Sequence, residues 1–600
     1  MKHIKFILII FILCCMGAKG QHVRIQGRPL NFQPDTTSVY SAKYAWNLSR
    51  IANMMKWIER NRLGCTDSVF VNQIDAKYRE LTIYSVSRLN YSLMDKQINQ
   101  LGITLDKMWD EYQQRNSPEG LFRKVILSGK PDMTDSLVLD GIQLRDSDKQ
   151  ENAYLNFKKA VEKEPSRLSY YYFLIMGELN FKRDTTKALE YLDNLMRNLQ
   201  ATLLEKKGEL AAIMVAEMGK VLREAEGEIT KCALVCKFYA DHAALFLKNE
   251  VIPTEATESY ISYQPVGTIL AVMPWNFPFW QVFRFLAPAL MAGNTGVLKH
   301  ASNVSGCALA IEQLVLEAGF PKNLFRTLLI GSSEVKAVIE NPLIKAVTLT
   351  GSTPAGKAVA SAASSMLKKS VLELGGSDPY VILEDADIEN AARLCVTSRL
   401  LNAGQSCIGA KRFIVADKIY DSFEAEFVRL MSSSTFGDPL DPGTSIGPLA
   451  RPDLRDELHQ QVEKSRELGA KVLTGGFIPE GNGAFYPPTV LANVTTGMPA
   501  YHEELFGPVA VLYRVSSEEE AIRIANDTVF GLGAGVFTAD IEKGKHLAEM
   551  GLEAGCVFVN DFVKSDPRLP FGRVKESGYG RELSAIGIRE FMNIKTIVVK

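Results

Sequence analysis

Residues 371–407 read VLELGGSDPYVILEDADIENAARLCVTSRLLNAGQSC. An apolar run ends on a carboxylate, Glu373, just before Leu374-Gly375-Gly376. The stretch closes on Cys407 after Asn402-Ala403-Gly404-Gln405-Ser406, residues that favour a turn. A thiolate is a strong nucleophile where its surroundings support the ionised form, and a carboxylate can serve as its base or activate water against what it forms. The pairing therefore suggests thioester chemistry. Taken alone, the same two residues read as a buried structural cysteine and a solvated acid. The decision rests on what accompanies them.

Other short motifs follow in one order along the chain: Pro274-Trp275-Asn276-Phe277-Pro278, Thr350-Gly351-Ser352, Leu372-Glu373-Leu374-Gly375-Gly376, Gly404-Gln405-Ser406-Cys407 and Glu503-Glu504-Leu505-Phe506-Gly507-Pro508. One of them would be weak evidence; the ordered set is strong. With them, residues 197–600 resemble the aldehyde dehydrogenase superfamily, most closely its succinate-semialdehyde dehydrogenase branch. The resemblance implies an α/β fold with a Rossmann-type cofactor domain (197–246 and 266–375), an α/β catalytic domain (376–575) and a β oligomerisation arm (247–265 and 590–600), assembled as a homo-oligomer. The family's first strands and one of its helices have no counterpart before residue 197.

The resemblance also implies roles. Cys407 attacks the aldehyde carbonyl, the Asn276 side-chain amide and the Cys407 backbone amide hold the oxyanion, and Glu373 activates water to hydrolyse the thioester. Read without the family, Asn276 caps the following helix, Glu373 closes a surface ion pair and Glu504 is a solvated loop acid. For the cofactor, NAD or NADP, the matching residues are Trp275, Lys299, Ser302, Gly351, Ser352, Gly375, Glu504 and Phe506. Many NAD-selective members carry a glutamate where Ser302 stands, so NADP is tolerated here and NAD is not forbidden. Arg284 matches an arginine that meets the distal carboxylate of a semialdehyde. A second such arginine is replaced by Leu401, with Arg399 nearby. Succinate semialdehyde is the expected substrate, with glutarate semialdehyde or a simple aliphatic aldehyde as alternatives. Arg573 stands where the family has the second of two glycines, and it is strained if that turn needs a positive φ or close packing.

Local patterning supports the α/β reading. Strands at 296–299, 325–330 and 344–350 alternate with helices at 304–318, 333–340 and from about Pro354, the signature of parallel βαβ units. Ligands of such sheets bind at the carboxyl ends of the strands, and Gly351 opens a turn into a helix N-terminus suited to a pyrophosphate. Gly351-Ser352-Thr353-Pro354-Ala355-Gly356 is not the usual dinucleotide fingerprint. Helices are expected over 198–219 and from Val221 to about Leu247, a hairpin over 251–264 and a final strand over 591–600. The apolar run 266–293 is punctuated by Pro274, Asn276, Pro278, Gln281, Arg284 and Pro288, so it reads as strand, turn and helix rather than a membrane span.

With 68 basic against 69 acidic residues the chain has no field to attract nucleic acid or an anionic membrane. The N-terminus has a basic start, an apolar run over 6–16 and Ala18-Lys19-Gly20, which reads as a secretory signal over 1–20 and points to export. Cys232, Cys236, Cys307, Cys395, Cys407 and Cys556 show neither disulfide nor metal spacing, and that usage, like the dehydrogenase chemistry, points to the cytoplasm. No metal site is expected. Residues 21–196 read as an all-α segment able to bind a protein partner. Ala153, Phe157, Ala160 and Pro165 fall at offsets 0, 4, 7 and 12, and Ala188, Leu192 and Leu195 repeat the first three 35 residues later. This resembles tetratricopeptide repeats, and a plain amphipathic helical domain reads equally well. Two functions follow: an NAD(P)-dependent semialdehyde dehydrogenase, or an exported interaction protein carrying an inactive dehydrogenase passenger.

Overall fold

The computed structural model describes residues 150–163 and 185–600. The expected signal, residues 1–20, and most of the expected all-α segment, 21–196, lie outside the described residues. Two helices of that region are described. On α1 (Gln150–Lys163), Ala153, Phe157 and Ala160 are buried; α2 (Thr185–Glu205) buries Leu192 and Leu195. Pro165 lies outside the described residues.

The expected division at 196/197 falls inside α2. Leu192, Leu195, Met196, Leu199 and Leu203, spaced by one, three or four, form one buried face of this helix and join the core of the helices that follow. The single helix expected over 198–219 is two, α2 and α3 (Lys207–Met218), parted at Lys206; α4 (Leu222–Phe246) is as expected. Cys232 and Cys236 are buried on α4, and all six described cysteines are free.

The arm is a three-stranded antiparallel sheet in which β2 (Glu258–Pro265) lies between β1 (Glu250–Val251) and the C-terminal strand β20 (Met592–Val599). The first α/β unit contains β3 (Thr268–Met273), α5 (Trp280–Met291), β4 (Thr295–His300), α6 (Ser305–Glu317), β5 (Phe325–Thr327), α7 (Val335–Glu340), β6 (Ile344–Thr350), α8 (Thr353–Ser365) and β7 (Lys369–Glu373). Its sheet runs β7-β6-β3-β4-β5, all parallel, and the antiparallel edge strand β18 (Gly578–Tyr579) pairs Gly578 with Glu373. From β3 the chain builds outward through β4 and β5, then returns to the other side for β6 and β7. The carboxyl ends of β3, β6 and β7 flank that reversal, where doubly wound sheets take their ligands.

The second unit is a seven-stranded sheet of β8 (Pro379–Ile382), β9 (Arg412–Ala416), β10 (Lys471–Thr474), β11 (Thr489–Ala492), β12 (Val509–Val515), β14 (Gly533–Phe537) and β15 (Cys556–Val559), in the order β10-β11-β12-β9-β8-β14-β15 and parallel except for the edge strand β10. Of these, β8 and β9 are joined through α9 (Ile388–Leu400), and Cys407 sits in the loop between α9 and β9. Every residue of α5 is buried, so the apolar run 266–293 is indeed strand, turn and helix. No described helix is long and apolar enough to cross a membrane.

Candidate active site

The loop before Cys407 is wound left-handed. Asn402, Ala403 and Gly404 have φ of 56°, 53° and 74°. A non-glycine residue costs roughly 1–2 kcal/mol there, so the turn must be held. The Asn402 amide donates to the Glu224 carboxylate at 2.9 Å, and the Gln405 side-chain amide donates to the Asn402 carbonyl at 3.1 Å. The fully buried Arg399 guanidinium donates to the carbonyls of Gly404 and, at 2.9 Å, of Ala410. A Cβ at Gly404 would lie 2.2 Å from the Gly507 carbonyl oxygen, and one at Gly376 would lie 2.5 Å from that of Cys407. Both positions admit only glycine. Arg399 therefore shapes the turn before Cys407.

Asn276 sits in the loop after β3 and is buried. Its Nδ2 donates to the Gln405 carbonyl at 3.1 Å, leaving its second proton, while the Asn402 Nδ2 donates both to the Asn276 carbonyl at 2.7 Å and to that of Gln405 at 3.0 Å. Asn402 thus staples the loop after β3 to the loop before Cys407. Asn276 does not cap α5. The amides of Phe279 and Trp280 donate instead to Glu228 of α4 at 2.8 and 2.9 Å, and Glu228 is paired with the equally buried Lys220, whose ammonium lies 3.9 Å from the Phe277 ring centroid.

Glu373, at the carboxyl end of β7, is 1% exposed and is no surface acid. Its Oε2 accepts from the Arg284 Nη2 at 3.0 Å; the same nitrogen donates to the Thr350 hydroxyl at 3.1 Å and lies 3.2 Å from Glu582 Oε2. Glu373 Oε1 has no hydrogen-bond partner. Burial works against the Arg284 charge, but Glu582 and Glu373 outweigh it and raise the pKa of the guanidinium. The arginine expected to meet a substrate carboxylate is thus matched already by two carboxylates of the chain.

Arg573 extends this set. Its Nη1 donates to Glu582 Oε2 at 3.1 Å and its Nε to the Leu372 carbonyl at 2.5 Å. Its φ is not positive, and the left-handed residue of this segment is Lys575, at 54°. The turn at Arg573 is not reversed, and the residue serves there as a long buried donor.

Burial pushes the Cys407 thiol well above its usual range; Glu373 adds to that shift, while Arg284 and Lys411 draw it back. Lys411, which the sequence reading did not single out, is 1% exposed. Its ammonium donates to the Ser406 and Cys407 carbonyls, both at 2.9 Å, and lies 3.3 Å from Glu504 Oε1. Glu504 also accepts from the Gly376 amide at 3.1 Å, and burial raises its carboxyl. It is a half-buried, paired acid beside the loop that carries Cys407.

A second cation stands near Arg284. Lys231 of α4 places its ammonium 4.2 Å from the Trp280 ring centroid and donates to the Ser565 hydroxyl at 2.7 Å. Burial, and then the Arg284 charge, lower its pKa to about 8. Among the described residues no carboxylate lies within ion-pair reach of it.

Residues 185–597 match the aldehyde dehydrogenase family. The chain belongs to that family. It is 49% identical over 428 residues to a probable NADP-dependent succinate-semialdehyde dehydrogenase of Synechocystis, the match covering 70% of this chain and 94% of that one. It is also 49% identical over 406 residues to a succinate-semialdehyde dehydrogenase [NADP(+)] of Mycobacterium avium, covering 67% and 85% of the two. Among solved structures it is similar to the succinic semialdehyde dehydrogenase of Streptococcus pyogenes with NADP+, at a TM-score of 0.67 and 41% identity over 68% of this chain and 90% of that one. The chain is therefore an oxidoreductase of aldehydes, with NAD or NADP as its cofactor.

The expected cofactor residues of this aldehyde dehydrogenase suit a dinucleotide. Trp275 and Phe506 meet edge to face with ring centroids 5.8 Å apart. A Cβ at Gly375 would lie 2.5 Å from Glu504 Oε2, so glycine keeps the backbone close to that acid. Ser352 precedes α8 without capping it through its side chain, leaving the first amides free. Gly351 is not sterically required, for a Cβ there would meet only Leu349 at 3.6 Å; in this turn the constrained glycine is Gly356, whose Cβ would lie 2.4 Å from Leu374. Lys299 is half-buried, with its pKa lowered by burial and no carboxylate in ion-pair reach among the described residues, and Ser302 near it is exposed. Among the described residues, no cluster of three or more His, Cys, Asp or Glu could hold a metal.

Proposed function

We propose that the chain oxidises an aldehyde bearing a distal carboxylate, succinate semialdehyde foremost, to the acid with NADP or NAD through a thioester on Cys407. The observation that supports this reading is Lys231, a half-buried cation close to Arg284 with no carboxylate in ion-pair reach among the described residues. A partly desolvated charge without a counterion is costly, and an anionic substrate group would complete it. Ser565 adds a hydroxyl and Trp280 an apolar wall. The passenger reading drew on the signal, the missing first strands and Arg573; the signal lies outside the described residues, and Arg573 has no positive φ.

In this reading the Cys407 thiol loses its proton and attacks the carbonyl carbon. The free Asn276 Nδ2 proton and the Cys407 amide, which donates to no described group, face the oxygen that becomes negative. The dinucleotide supplies the hydride acceptor. Lys411 and Asn402 fix the loop that carries the thiol, and Glu373 Oε1 takes a proton from the water that cleaves the thioester, returning the thiol and releasing the acid.

The primary test is NADPH and NADH formation by the full chain with succinate semialdehyde and with propionaldehyde. Lys231→Met is expected to raise the KM for the semialdehyde about 10- to 100-fold, the value of a charge-assisted hydrogen bond, and to leave that for propionaldehyde unchanged. Lys231 is charged below about pH 8 and loses its charge above it. The semialdehyde KM of the wild type should therefore climb above that pH while the propionaldehyde KM stays flat; parallel behaviour of the two substrates would remove Lys231 from the reading. For the cofactor, Ser302→Glu sets a carboxylate against a 2′-phosphate and is expected to raise the KM for NADP about tenfold or more, with little change for NAD. Equal effects on both would mean that Ser302 does not face the 2′ position.

A further inference from the structure

Four buried charges alternate in sign from one side of the site to the other. Arg573 Nη1 lies 3.1 Å from Glu582 Oε2, that oxygen lies 3.2 Å from Arg284 Nη2, and that nitrogen lies 3.0 Å from Glu373 Oε2. Each residue of the series is at most 6% exposed. The elements that bring them together are remote in sequence: Arg573 follows the two-residue strand β16 (Phe571–Gly572), and Glu582 ends β19 (Arg581–Glu582), which pairs with β16. Phe571 stacks over the Arg284 guanidinium at 4.9 Å. Arg284 therefore divides one positive charge between two carboxylates, and Arg573 decides how much of it Glu582 takes.

We propose that Arg573 is a positioning residue for the hydrolytic half of the reaction: by neutralising Glu582 it leaves Arg284 free to hold Glu373 as a carboxylate, aimed with its unpartnered Oε1 at the thioester. The inference rests on the role of Glu373 proposed above. With a neutral residue at 573, Glu582 would claim Arg284, and its negative charge would weigh against ionisation of Glu373. The other groups that face Glu373 do not belong to this series. Cys407 lies on one side, and the Glu504–Lys411 pair stands beyond it.

The test separates acylation from hydrolysis. Rapid mixing of the full chain with aldehyde and NADP reports acylation as a burst of NADPH, and steady-state turnover reports hydrolysis. For Arg573→Leu the burst amplitude should persist while the acid-side fall of steady-state turnover moves up by about one pH unit, a tenfold loss below it. For Glu582→Gln the fall should move down. The double variant Arg573→Leu/Glu582→Leu replaces a buried ion pair by an apolar one, a change cores often tolerate, and it should bring the fall back to the wild-type position or below. An unmoved acid limb in Arg573→Leu or in Glu582→Gln, or a double variant displaced further in the direction of Arg573→Leu, would overturn the proposal. A merely structural Arg573 would make the double variant the worst of the three. If the wild type oxidises no aldehyde, the functional reading has failed separately, and the series is then tested by alkylation of Cys407 with iodoacetamide against pH. The carboxylate inflection in that profile should shift in the same two directions, and an absence of shift would overturn the proposal.

Discussion

Serine at position 407 is expected to lower steady-state turnover by at least about a thousandfold, the scale of removing a nucleophile, and to abolish the burst of NADPH as well. Cys407 is 9% exposed in a loop fixed by Asn402, Arg399 and Lys411, not by the sulfur itself, so the substitution should leave the fold intact. Stopped-flow fluorescence and circular dichroism together check this. A burst that survives in Cys407→Ser would move the nucleophile elsewhere, and no other described cysteine lies in this loop.

The second large effect belongs to Glu373→Gln, which should separate the two halves of the reaction. In the proposed mechanism acylation does not need the carboxylate, whose negative charge raises the pKa of the Cys407 thiol. Removing that charge should let the thiolate form at lower pH, so the burst at neutral pH should be kept or quickened. Hydrolysis loses its base, a loss of about 10²- to 10⁴-fold. The enzyme should therefore accumulate as thioester, visible by mass spectrometry of the denatured chain as the mass of the acyl group. Loss of burst and turnover together would instead make Glu373 the base for the thiol. Arg284, relieved of one carboxylate, would still be matched by Glu582.

How far the sequence spoke depends on whether a residue acts locally. The parallel strands were legible because each lies in a short apolar run between turn signals, and β6 matches its expected bounds at both ends. Cys407, Glu373 and Asn276 were singled out through motifs, and each is fixed by the turn or strand end beside it. Lys231 was not. Its meaning depends on Ser565, more than three hundred positions away, and on Trp280, and its own helix gives no sign of either. Asn402 and Lys411 stood within the quoted neighbourhood of Cys407, yet their bonds are to backbone carbonyls, which no side-chain pattern announces. Arg573 was noticed for the wrong reason. A departure from glycine suggests strain until the backbone angle is known, and its partner Glu582 becomes visible only when β16 and β19 are paired. The expected boundary at 196/197 falls inside α2, where composition changes while the apolar face of the helix does not.

The cap that α4 places on α5 also bears on how this enzyme can be cut and recombined. Glu228 and Lys220 precede the first strand of the cofactor sheet, yet they anchor the loop that presents Asn276. A crossover between relatives placed at the arm, where a domain map invites it, would match one parent's α4 with another parent's α5. If the new α4 lacked the glutamate, two buried amides would be orphaned; if only the lysine were lost, an uncompensated carboxylate would remain, at a cost of about 3–5 kcal/mol. The smallest interchangeable module is therefore the segment from α3 through α5, and chimaeras that respect it should retain activity where those joined at the arm lose it.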